Sequence, residues 1–99
     1  MSEGAPSVEV TDHPERHRFE AHLGAALAGH LAYRLRPGVI VLVHTEVDPA
    51  FEGHGVGGRL AATALDEARA RGLRVDPLCP FVAAYIGRHP DYADLVARR

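Results

Sequence analysis

The hydrophobic period of this 99-residue chain changes once, shortly after Asp48-Pro49, and that change limits its possible folds more than any other feature. Before it, apolar and polar side chains alternate with the period of two expected of half-buried strands. Val8–Thr11 alternates weakly. Arg18–Leu23 sets Phe19, Ala21 and Leu23 against Arg18, Glu20 and His22. Leu27–Leu35 puts Leu27, Gly29, Leu31, Tyr33 and Leu35 on one face, and Val39–Val47 carries a β-branched run that suggests burial on both faces. The breaks between these segments are turn-like. Asp12–Glu15 contains His13-Pro14, Gly24 sits among small residues, and Arg36-Pro37-Gly38 pairs a preset φ with a residue that accepts positive φ. Residues before the change therefore read as a meander of four strands.

After it the spacing becomes three to four. Leu60, Ala61, Ala64, Leu65 and Ala68 form one stripe of a helix over Val56–Arg71, and Gly72 is placed to stop it. Leu73–Leu78 reads as a fifth strand beside the fourth. Pro80 suits the first turn of a second helix reaching about Arg88, His89-Pro90 breaks that helix, and Asp91–Ala97 reads as a last short one. Met1–Ser7 reads as a loose tail and residues 8–99 as a single domain, since this length allows only one core. The net charge of −2 gives no reason to expect DNA or an anionic membrane as partner. All eleven basic residues are arginine, and one cysteine excludes an internal disulfide or a multi-cysteine zinc site. No apolar run is long enough for a signal peptide core or a membrane span, so the cytoplasm is the default compartment.

The segment from Phe51 to Gly58, FEGHGVGG, joins the fourth strand to the first helix. Glycines let the backbone approach an anion closely. The helix that follows adds unpaired N-terminal N–H groups and the positive end of its dipole. A purely structural turn is the competing reading. A dinucleotide-binding turn should come after a first strand in a βαβ unit, whereas this one follows a meander. A Walker-type loop is excluded, because no Lys-Ser/Thr pair follows the glycines.

Val47-Asp48-Pro49, Glu52 to Gly57 and the helix over Arg59–Arg71 together resemble the coenzyme A-binding motif of GNAT acetyltransferases, whose loop has the form Gln/Arg-x-x-Gly-x-Gly/Ala. Gly55 and Gly57 match its small positions, and Glu52 departs from it. The strings RFEAHL, HTEVDPAFEGHGVGGRL and GLRVDPLCPFVAAYIGRHPDY resemble a small, single-domain, YjdJ-like subgroup of such enzymes, over roughly Val8 to Val96. The resemblance implies an α/β GNAT-like fold. Its sheet is mostly antiparallel with a parallel step between strands four and five, is flanked by helices, and lacks the usual helices between strands one and two. It implies acyl transfer from acetyl-CoA, as co-substrate, to an amine acceptor of unknown identity. A coenzyme A-binding module or sensor without transferase activity is the alternative. The cofactor side would comprise the amides of Gly53, His54, Gly55, Val56, Gly57 and Gly58 for the pyrophosphate, the Val47 backbone for the pantetheine, and Phe81.

The reactive candidates are His44, Glu46, Cys79 and Tyr85. His44 and Glu46, two apart on the fourth strand, share a face, and either can accept a proton from the amine if its surroundings tune it. The alternative is a partly buried histidine and a solvated glutamate. Cys79 stands at the N-cap of the second helix, either as an acyl-carrying nucleophile or as a pocket-lining thiol. Tyr85 corresponds to the tyrosine that protonates the departing thiolate in many members of the family, or is a half-buried aromatic. The remaining histidines have no metal-ligand spacing, and His17 and His22 read as opposite faces of one strand, so no metal is expected. Only about four residues separate the first two strands, too few for a helix. The acceptor side should be open and shallow, implying either a large acceptor, such as a protein or an RNA-associated partner, or a second subunit that completes the pocket; the chain is expected to be a monomer or a homodimer.

Overall fold

A computed structural model describes residues 7–97. The expected tail lies outside the described residues except for the exposed Ser7. Five strands form one sheet in the order β1 (Val8–His13), β2 (Arg18–Leu23), β3 (Ala26–Arg36), β4 (Val39–Val47) and β5 (Arg74–Pro77). The first four pair antiparallel as neighbours, and β4 and β5 run parallel. Helix α1 (Val56–Ala70) makes the crossover between β4 and β5, and α2 (Pro80–Arg88) follows β5. Among the described residues no helix is long and apolar enough to cross a membrane.

The expected period change is the boundary between sheet and helix. The α1 stripe Leu60, Ala61, Ala64, Leu65 and Ala68 is fully buried against Phe19, Ala21, Leu31, Tyr33, Ile40 and Leu42 on one sheet face. Three of its five members are alanine, which brings the helix axis close to the sheet. Val82 and Ile86 of α2 join the same cluster, so both helices bury their apolar residues on that face. The other face is left to side chains such as Arg34, His44 and Glu46, all exposed. Between β1 and β2 there is only a 3₁₀ turn, Pro14–Arg16, as the short connection requires.

Several local expectations are corrected. β1 continues through Asp12 and His13, and the turn begins only at Pro14, where the ring removes a ladder donor. His17 is not a strand residue; it caps the 3₁₀ turn in left-handed conformation with φ 54°. Leu27 is exposed because a bulge at Ala28 lets Ala21 pair with Gly29 but His22 with Leu27, which moves Leu27 off the core face. Leu35, near the hairpin end, is exposed as well. Burial on both faces of β4 holds only for Ile40, Val41 and Leu42. The last element is 3₁₀ over Pro90–Leu95, its Tyr92 hydroxyl donating to Asp66 of α1.

One departure from regularity positions everything that follows. β5 pairs only with the first part of β4, from Val39↔Arg74 to Leu42↔Pro77. Pro77 has no N–H to extend the ladder, and Pro80 starts α2, so the chain turns away. At the same level β4 carries a bulge: Tyr33 pairs with Leu42 but Ala32 with His44, leaving Val43 as the extra residue. A bulge bends its strand and increases its twist. Past it, among the described residues, 43–47 have no strand beside them on the β5 side. The two parallel strands thus end as a fork.

Candidate active site

The glycine turn stands at the mouth of this fork. Asp48 caps the 3₁₀ turn Pro49–Phe51 by accepting from Ala50 N at 2.9 Å. The chain then reaches Gly55, the N-cap of α1, at φ 74°. This left-handed angle is strained for any residue with a Cβ and worst for a β-branched one. The first helical bond runs from Arg59 N to Gly55 O at 3.0 Å. Among the described residues the amides of residues 53–58 have no hydrogen-bond acceptor. A row of unspent N–H groups at the start of a 15-residue helix is what an anionic diphosphate needs.

Gly57 has a separate reason to be glycine. A Cβ there would lie 2.8 Å from Phe81 Cζ, because the Phe81 ring packs over the first turn of α1. At Gly58 a Cβ would meet only Tyr85 at ordinary contact distance. Phe81 and Tyr85, one turn apart on α2, therefore flank the glycine turn. Tyr85 stacks on His89 with centroids 3.9 Å apart, and its hydroxyl has no hydrogen-bond partner among the described residues. Val47, half-buried, ends β4 beside Gly29 of β3.

Cys79 is the N-cap of α2 as expected, but its thiol makes no capping bond. It is buried, its amide donates to Leu42 O at 2.9 Å, and its Sγ lies 3.3 Å from Thr45 Oγ1. The pair bridges the fork just past its vertex. Among the described residues no histidine or arginine hydrogen-bonds to the sulfur.

His44 and Glu46 do share a face, with Nε2 and Oε2 3.6 Å apart, and both are exposed on the side away from α1. They are joined by His30, which the sequence alone did not single out. His30 is the direct partner of Glu46 across the β3–β4 ladder, its Nε2 4.0 Å from Glu46 Oε1. Partial burial, then the Arg18 charge, holds its pKa below the ordinary imidazole value. The His44 ring acts in the same sense, and Glu46 and Glu20 act against it. Neutral imidazole, an acceptor, is therefore favoured at His30. His30 and Glu46 line a cleft of ≈ 480 Å³ with Leu27, Gly29, Val47 and Pro49. The signal that would have found His30 was its register, and the bulge at Val43 hides it. Counting back from the Pro37-Gly38 turn without a bulge sets His30 opposite Thr45. The extra residue moves Glu46 there, turns His44 and Glu46 to the bare face, and turns Thr45 toward Cys79. Among the described residues no group of three or more histidine, cysteine or carboxylate side chains is placed to hold a metal ion.

A mixed sheet forked between its fourth and fifth strands, with an amide-lined glycine turn where the crossover helix begins, is the acyltransferase architecture that the sequence motifs imply. The chain matches the GCN5-related N-acetyl-transferase family over residues 18–95, most of its length, and belongs to that family of enzymes. Its fold is similar to the solution NMR structure of a GCN5-like protein from Staphylococcus aureus assigned as an N-acetyltransferase. The TM-score is 0.70 with 22% identity, covering 92% of this chain and 89% of that one. No curated protein matches the sequence.

Proposed function

We propose that this acyltransferase moves an acetyl group from acetyl-CoA to an amine, through the fork between β4 and β5. The observation that carries the reading is the fork itself. Among the described residues, an edge of β4 without a partner strand leads from the unpaired amides of residues 53–58 to the Cys79–Thr45 bridge. The amides hold the pyrophosphate, with no side-chain contribution needed from Glu52. The pantetheine, itself an amide chain, takes the backbone groups of β4 near Val47 as a continuation of β5 would. Phe81 and Tyr85 flank it, and the Tyr85 hydroxyl is the proton donor for the departing thiolate.

The acceptor approaches from the bare face. Its amine loses a proton to Glu46, with neutral His30 beside that carboxylate, and His44 next to it, to accept or pass it on, and the nitrogen attacks the thioester carbon. The tetrahedral intermediate then expels the coenzyme A thiolate. Direct attack is favoured over relay through Cys79, because the sulfur is buried in the core cluster and has no neighbouring base apart from a threonine hydroxyl. Cys79→Ser should accordingly keep most turnover. Loss of turnover together with a trapped acetyl-enzyme in the wild type would establish the relay instead.

The direct test is thermal unfolding with acetyl-CoA. At about 100 times Kd a ligand adds roughly 2.7 kcal/mol, and each kcal/mol moves Tm by about 4–8 °C in a domain of this size. Gly55→Val should erase the shift, since valine strains the N-cap angle, whereas Glu52→Gln should keep or enlarge it. No shift in the wild type at millimolar acetyl-CoA would remove the coenzyme A reading. A shift without amine-dependent thiol release would leave a binding module.

A further inference from the structure

The bare face of the sheet is not uniform. Alternate residues of β3 share it: His30, Ala32, Arg34 and Arg36, successive members being about 7 Å apart at strand rise. His30 belongs to the cleft with Glu46. At the other end lies a second groove of ≈ 510 Å³, rimmed by Arg16, Arg34 and Arg36 over a floor that includes Ala32, Val41 and Val43. Among the described residues no carboxylate lines it. Arg16 is engaged with Glu20 at 2.9 Å and Arg36 with Asp76 at 3.3 Å. Arg34 is exposed and has no hydrogen-bond or ion-pair partner among the described residues. His17, at the same groove, is held there by capping the 3₁₀ turn between β1 and β2. With Arg16 and Arg36 paired to carboxylates, Arg34 gives this groove one unmatched positive charge, among the described residues, over an apolar floor.

We propose that this groove is a specificity subsite for an acidic protein segment, reading a carboxylate side chain about four residues from the acetylated amine. The inference rests on the transfer reading above, which sets the amine at His30 and Glu46. From His30 to Arg34 is four residues of strand, about 13 Å, and an extended peptide laid along β3 rises by nearly the same amount per residue. An aspartate or glutamate at that spacing meets the free guanidinium, and its aliphatic carbons lie on Ala32, Val41 and Val43. The span exceeds the reach of a small amine. A nucleic acid fits less well: among the described residues the groove's one phenol ring, Tyr33, packs on Phe19 in the core with its hydroxyl committed to Asp12, which leaves only the His17 imidazole there to stack a base.

The test uses fluorescein-labelled lysine peptides carrying glutamate, alanine or arginine four residues from the lysine on either side. Anisotropy is measured without cofactor at low salt. The glutamate peptides in one of the two directions should bind roughly two- to five-fold more tightly than the alanine ones, the range of an exposed ion pair. Arg34→Ala and Arg34→Gln should erase that ratio, and Arg34→Glu should invert it in favour of the arginine peptides. Equal binding of glutamate and alanine peptides would overturn the proposal. So would a preference that survives in Arg34→Gln, or displacement of the peptides by a uridine oligonucleotide that binds more tightly. Acetyl-CoA thiol release measured on the same peptides separates the two readings. Selective binding without release removes the transferase reading and keeps the acidic-segment site, whereas release without carboxylate preference removes only the site.

Discussion

At Gly29 the backbone of β3 passes under the start of α1 so closely that a Cβ would lie 2.6 Å from Glu46 O, 3.1 Å from Val56 Cγ1 and 3.3 Å from the Val47 Cα. Two of those neighbours are backbone and cannot swing away. Gly29→Ala must therefore push β4 outward, and a cost of about 1–3 kcal/mol is expected, read as a fall in the denaturant midpoint at unchanged m-value. Because the atoms displaced belong to Glu46 and Val47, the acetyl-CoA shift should weaken too. Gly58→Ala, with only an ordinary contact, is the matched control. Glu20 shows a second residue-scale device. It is buried on the bare face, and burial alone would raise its pKa. The bonds from Arg18 at 2.8 Å and Arg16 at 2.9 Å, with the His13 charge, outweigh that and hold it below the ordinary carboxylate value. A depressed folded-state pKa means that the unfolded chain takes up the proton first. The stabilisation is complete above the ordinary value of 4.5 and is lost as the pH falls through the lower folded value. Urea unfolding from pH 6 downward should show that loss, and Glu20→Gln, less stable at pH 6, should show a flatter acid limb.

Among the elements, β4 does the most with the least regularity. Its first part is an interior strand between β3 and β5, and its second part is an edge exposed to the fork. The extra residue Val43 marks the junction. Deleting Val43 should leave Ala32↔His44 and His30↔Glu46 paired and on the same face, since the residue removed is the one without a partner, but it removes the bend. The variant is expected to fold, with a circular dichroism spectrum like that of the wild type, and to lose most of its acetyl-CoA stabilisation. A full ligand shift would mean that the fork depends on Pro77 and Pro80 alone. Much of this element was legible beforehand. Its bounds, its stop at Asp48-Pro49 and the shared face of His44 and Glu46 follow from local pattern. Its double-sided burial was over-read, because a β-branched run reports strand propensity and says nothing of whether a helix covers each face. His17 was assigned to a strand for a similar reason: alternation continues through a 3₁₀ turn on paper, but only a folded chain shows its φ.

Taken whole, the molecule covers one face of its sheet with two helices and leaves the other bare, which follows from spending only a 3₁₀ turn between β1 and β2. The absence of lysine makes one consequence easy to check. Incubated with acetyl-CoA, the chain has no side-chain amine to modify, so intact-mass spectrometry should show no acetyl adduct apart from the amino terminus. A hydroxylamine-labile adduct mapped to Cys79 would reverse the preference for direct transfer. The order of the elements, the glycine turn and the stop signals were determined by the sequence itself, because period, turn chemistry and capping act over a few residues, whereas the parallel step was implied only by the resemblance to the family. What only the tertiary structure decided is which side chains meet. His30 opposite Glu46, Thr45 against Cys79, Phe81 over Gly57 and the free Arg34 above its groove all depend on registers and crossings between segments far apart in the chain. A bulge of one residue exchanges the faces of everything beyond it, and the bulge at Val43 arises where β4 parts from β5, a long-range event that no local alternation of residues encodes.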